Sequence, residues 1–148
     1  MPETDGMKDF AIRLTEKAGE HLLENFGKDP ELISKRGIAK EITTRYDKEV
    51  DKLLIKEISG EYPDHNILTE ESGFIDKKGG YTWIVDSLDG SSNFAVGNPF
   101  FSVSVALMKN KELVFGVINA PFLKELFVAE KGRGAFLNGK RIHVSDTT

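Results

Sequence analysis

Residues 83–101 read WIVDSLDGSSNFAVGNPFF, and the rest of the chain is arranged around them. The short apolar run Trp83-Ile84-Val85 has the length and composition of a buried strand. It delivers Asp86, Leu88 and Asp89 to a turn opened by Gly90. Such a strand end presents two carboxylates and one main-chain carbonyl to the same small volume. Hard oxygen donors of this kind suit Mg²⁺, with Mn²⁺ as the alternative ion. Ser91 and Ser92 follow Gly90, and a helix starting there would offer backbone N–H groups to a phosphate anion. The same letters also suit a plain polar turn after a strand, since D-x-x-D-G alone has a high false-positive rate.

Composition narrows the classes. At 148 residues the chain can bury one sizeable core. It has no cysteine, which removes disulfides, a thiol nucleophile and zinc–thiolate chemistry. His21, His65 and His143 show no metal-ligand spacing. A net charge of −4 and a pI near 5.4 give no footprint for nucleic acid or an anionic membrane. No run is long enough to span a bilayer, and the N-terminus lacks a signal pattern, so a cytoplasmic location is the default.

Upstream, Phe10, Leu14, Ala18 and Leu22 recur every fourth residue, with Leu23 and Phe26 widening the stripe. This predicts an amphipathic helix over about 7–26, stopped at Gly27. Residues 34–42 are charged and irregular, a solvated loop or a flap over a phosphate site. A second helix begins near Thr44, because Thr44-Arg45-Tyr46-Asp47 fits a capping box. Val50, Leu53, Leu54 and Ile58 form its buried stripe, and Gly60 ends it. On this pattern Asp47 reads first as a capping acid. Residues 66–69 predict a strand that runs into Glu70-Glu71-Ser72-Gly73. Two adjacent acids there repel each other if buried, and a cation would settle them. Asp76–Gly80 is a loop. After Pro99 the period changes to two, with Phe101, Val103, Val105 and Leu107 alternating against smaller residues. Strands over 113–118, 126–129, 135–137 and 141–144 follow, the last pair joined by the hairpin signal Asn138-Gly139. The expected fold is α+β, two helices packed on a largely antiparallel sheet.

Several pieces in order carry a resemblance: TEESG at 69–73, WIVDSLDGSSNF at 83–94, NPFFSVSVAL at 98–107, and FGVINAP…ELFVAEKGRGAFLNGKRIHVS at 115–145. Together they resemble the inositol monophosphatase family of Mg²⁺-dependent, often lithium-sensitive phosphatases, which are related to the fructose-1,6-bisphosphatases. The resemblance implies hydrolysis of a phosphate monoester by a metal-activated water, on inositol monophosphate or fructose 1,6-bisphosphate. It implies metal ligation by Glu70, Asp86, the Leu88 carbonyl and Asp89. Glu70 would also orient the attacking water, and Ser91 stands where the family usually has threonine, whose hydroxyl contacts that water. Asp47 matches the acid that bonds this hydroxyl, while the backbone of Gly90, Ser91 and Ser92 would hold the phosphate. Glu71 is expected to act only from behind the ligands. A homodimer is implied as well.

Two features depart from the family pattern. Ser87 replaces a proline, loosening the turn, and the wording D-G-S-S-N leans toward the sugar bisphosphatases. The chain is also expected to be the N-terminal, metal- and phosphate-binding half of the family fold, as a single domain over 1–148. The family's C-terminal α/β half would then come from the same protein or from another chain, and residues 1–148 alone would turn over little substrate. A phosphatase for 3′-phosphoadenosine phosphate is an alternative within the class. A non-catalytic interaction module on the same scaffold is the alternative outside it.

Overall fold

The structure, a computed structural model, describes residues 2–28, 33–34 and 42–148. Helix α1 spans Pro2–Asn25 and helix α2 spans Arg45–Glu61. Between them the backbones of β1 (Ile33–Ser34) and β2 (Ile42–Thr43) pair antiparallel. Of the loop or flap expected at 34–42, residues 35–41 lie outside the described residues, while Ser34 and Ile42 pair as strand. Pro2 opens α1, a position where a missing N–H costs nothing, and that start precedes the one the periodicity marked. The buried side of α1 is Ala11, Leu14, Thr15, Ala18 and Leu22, with Gly19 fitting close against Pro121.

Eight further strands form one sheet: β3 (Asn66–Thr69), β4 (Gly73–Ile75), β5 (Tyr81–Asp89), β6 (Ser102–Lys109), β7 (Glu112–Ala120), β8 (Glu125–Glu130), β9 (Gly134–Leu137) and β10 (Lys140–Ile142). Their order is β10-β9-β8-β7-β6-β5-β3-β4, and only the β3–β5 pair is parallel. Helices on a largely antiparallel sheet are what the apolar pattern predicts. β4, like the short β1 and β2, is a strand that pattern did not reveal.

Both helices cover the same face of the sheet. Trp83 and Val85 of β5, Val103, Val105 and Leu107 of β6, and Phe115 and Val117 of β7 are buried beneath them. Trp83, fully buried, donates its indole Nε1–H to His65 Nδ1 at 3.0 Å. His65 also stacks on Tyr62, and burial pushes its imidazole below its usual range. His65 is thus a packing residue, and His21 pairs with Glu49 at 2.8 Å.

The opposite face repeats differently. Phe74, Leu68, Ile84, Ala106, Gly116, Ala129, Ala135 and Ile142 pair in sequence across all eight strands. Phe74, Leu68 and Ile142, at its ends, are exposed.

Candidate functional site

Two neighbouring strand ends build the site. β3 and β5 run parallel with Leu68 opposite Ile84 and Thr69 opposite Val85. Glu70 and Asp86 are the next residues after the last pair, and the charge of Glu70 is felt at the Asp86 carboxyl. Asp86 and Asp89 stand three positions apart and would face opposite ways on a regular strand. The β5–β6 ladder is irregular between them: Asp86 pairs with Ser104 and Asp89 with Ser102. A bulge of this kind re-aims side chains at a strand end.

The electrostatics report the result. The Asp86 carboxyl is pushed up to about 6, first by burial, then by the charges of Asp89, Glu70 and Asp47. The Leu88 N–H donates to it and pulls the other way. Four acids therefore share one electrostatic neighbourhood. Among the described residues, however, no three His, Asp or Glu side chains close on one point as a finished metal cluster.

The next turn carries the second part. Gly90 sits at φ +87°, and a Cβ there would come within 2.7 Å of the Phe100 carbonyl oxygen. Only glycine suits this position. It starts the short helix α3, Ser91–Ala95, without any side-chain cap on the first turn. Ser91 Oγ lies 2.5 Å from Asp47 Oδ1 and 3.1 Å from the Leu88 carbonyl oxygen.

Asp47 is anchored from its own helix. Thr44 caps α2, and both its N–H and its hydroxyl donate to Asp47 Oδ2, at 2.8 and 2.7 Å. The capping acid and the partner of Ser91 are one residue with one oxygen for each task. Burial pushes its carboxyl up, and the bonds from Ser91 and Thr44 counter this. The charge of Glu71 is felt at Asp47, consistent with a place behind the other acids.

The structure therefore brings Glu70, Asp86, Leu88, Asp89, Ser91 and Asp47 to one end of the sheet. Asp51 and Ser72 were missed. They bond to each other beside this group, and the available signal was an acid one turn after Asp47 on a buried helix side.

The oxygen donors fit a divalent cation. Glu70, Asp86 and Asp89 supply carboxylates, the Leu88 carbonyl keeps a second lone pair beyond its bond to Ser91, and the Asp86 carboxyl, raised first by burial and then by the neighbouring acids, would be settled by a cation.

Comparison with known proteins shows the family of the chain. A family model described as "Inositol monophosphatase family" matches residues 3–148. A "Fructose-1,6-bisphosphatase/inositol-1-monophosphatase" of Thermotoga maritima is 43% identical over 138 residues, covering 93% of this chain and 53% of that protein. The "Inositol monophosphatase" of Dictyostelium discoideum is 41% identical over 138 residues, covering 91% of this chain and 50% of its own length. Among solved structures, the extragenic suppressor protein suhB of Bartonella henselae superposes with a TM-score of 0.90 at 35% identity, covering 97% of this chain and 56% of that one. The chain spans about half the length of the curated relatives it matches. It belongs to the inositol monophosphatase family.

Proposed function

We propose that this chain supplies the cation- and phosphate-binding part of a phosphomonoesterase. The observation that carries this reading is the parallel β3–β5 pair, which ends one residue short of Glu70 and Asp86, with the charge of Glu70 felt at Asp86. Glu70, Asp86, Asp89 and the Leu88 carbonyl would hold Mg²⁺ or Mn²⁺. When bound there, a divalent cation lowers the pKa of a water and neutralises charge on the phosphoryl oxygens.

The chain's own groups do the rest. The uncapped N–H groups at the start of α3, from Ser91 onward, donate to the phosphate oxygens, and Gly90 makes the left-handed turn that starts the helix. Ser91 Oγ, held by Asp47, accepts a proton from the attacking water and aims it at phosphorus. As Ser91 accepts that proton it passes its own to Asp47 Oδ1. The raised affinity of Asp47 for protons suits it as the terminus of that relay. General-base help of this sort contributes about 10²–10⁴ in rate, far short of the up to ∼10²¹ such hydrolyses need. Charge neutralisation therefore carries most of the acceleration.

Inositol monophosphate and fructose 1,6-bisphosphate are the favoured substrates, supported by the double name of the Thermotoga maritima relative and the D-G-S-S-N wording. We also infer that the apolar outer face of the sheet receives further chain, from the same protein or another. Homodimerisation, lithium sensitivity and a cytoplasmic location accompany this reading on family resemblance. No helix among the described residues is long and apolar enough to cross a membrane.

The test replaces Asp89 with Asn in a protein completed by a C-terminal half. Phosphatase activity against both substrates should fall by at least 10²-fold, about the worth of one electrostatic group at a reacting centre, and the Mg²⁺ requirement should rise. Unchanged activity and unchanged Mg²⁺ dependence would overturn the assignment.

A further inference from the structure

Helix α2 carries a second buried carboxylate that the proton relay does not use. Asp51 lies one turn after Asp47 and is only 1% exposed. Its Oδ2 accepts the hydroxyl proton of Ser72, while its Oδ1 has no hydrogen-bond partner among the described residues. None of the ion pairs among the described residues includes it. A carboxylate buried without a cation destabilises a fold unless something else requires it. Stability alone is therefore a poor account of Asp51.

Its single partner shows what the residue holds. Thr69 pairs with Gly73 across the β3–β4 hairpin, leaving Glu70, Glu71 and Ser72 as a tight loop. Gly73 takes φ +74°, and the Ser72 N–H donates to Thr69 Oγ1 at 2.7 Å, so the loop closes on itself. The Asp51–Ser72 bond ties that loop to a different element. One turn earlier on the same helix, Asp47 grips Ser91 at the other side of the site.

We propose that Asp51 is a positioning residue: through Ser72 it fixes the Glu70 loop against α2, and thereby fixes Glu70 relative to Asp86. Helix α2 then sets the spacing of the two strand ends with two carboxylates one turn apart. The inference rests on the reading above that Glu70 and Asp86 hold a divalent cation.

The experiment measures Mn²⁺ affinity of the full chain, from the free-ion electron paramagnetic resonance signal, beside thermal unfolding without metal. Ser72→Ala alters an exposed residue but leaves Asp51 buried without that partner, so it should lower the unfolding temperature, and its affinity is read on the folded chain. Asp51→Leu removes the bond and the buried charge together, so it should keep or raise the unfolding temperature. Both variants should weaken Mn²⁺ binding by about tenfold or more, the usual effect of losing a group that orients a ligand. The double variant should be no weaker than either single one, and Asp51→Asn, which keeps an acceptor oxygen, should stay near wild type. A merely structural bond would lower the unfolding temperature and leave the affinity of folded protein unchanged. Wild-type affinity in both Ser72→Ala and Asp51→Leu overturns the inference. A wild-type chain that binds no Mn²⁺ overturns the cation reading and this inference with it.

Discussion

Asp86 is held at a cost that a partner of opposite charge would remove. Its carboxyl, ordinarily near 3.8, is raised to about 6 by burial and by three neighbouring acids. Because the folded-state value lies above the unfolded one, the native chain keeps a proton between those values that the unfolded chain has released. Stability from this group is therefore present at low pH and lost as pH rises through that window. Asp86→Asn removes the penalty. In EDTA at pH 7.5 the variant should unfold at a higher temperature than wild type, and the two should converge below about pH 4, the ordinary range of an aspartate. With saturating Mg²⁺ the order should reverse, because the cation binds the native wild type and stabilises it. Scanning calorimetry across pH, with and without metal, checks both statements. A variant no more stable than wild type in EDTA at pH 7.5 would mean that the acids do not crowd one another.

Helix α2 is the element where sequence reading was most complete and still divided what the structure joins. The capping box at Thr44-Arg45-Tyr46-Asp47 was visible because it is local: four residues and a fixed spacing. The second duty of Asp47 was not, since its partner Ser91 lies 44 residues away and no periodicity records that. The apolar stripe identified Val50, Leu54 and Ile58 correctly, but gave Leu53 the full burial that Asp51 has instead. An acid on a buried side breaks the binary pattern for a functional reason, and sites are where such breaks belong. β4 escaped notice because three residues beginning with glycine carry no alternation to read. The bulge between Asp86 and Asp89 escaped because it is settled by pairing with β6. Since Thr44 supports both the helix start and Asp47, Thr44→Ala should destabilise the protein by about 1–2 kcal/mol, the upper range for a lost N-cap. Thr44→Ser keeps the hydroxyl and should lose far less. Urea denaturation of the two variants separates them, and equal stabilities would show that the cap is idle.

At the scale of the molecule, the two faces of the sheet ask for different surroundings. One is covered by α1 and α2 with Trp83, Leu107 and Phe115 beneath them. The other presents an apolar row across eight strands, large at its ends (Phe74, Leu68, Ile142) and small at its middle (Ala106, Gly116, Ala129, Ala135). Ile118 stands beside that row, 44% exposed. An apolar surface of this continuity is uncommon on a protein that works alone, and a low centre between raised ends admits a closely packed element. Residues 1–148 expressed by themselves should therefore bind an apolar dye and self-associate as concentration rises. Replacing Leu68 and Ile118 with lysine puts charge on the uncovered face without touching the packed one. The double variant should run as a monomer in light scattering, bind less dye, and change in stability by no more than about 0.5 kcal/mol per site, as surface positions do. In a protein completed by its second half, the same pair should instead lower the unfolding temperature, because each lysine would then be buried without a partner. If the substitutions are silent in both settings, the outer face meets only water and the added chain docks elsewhere.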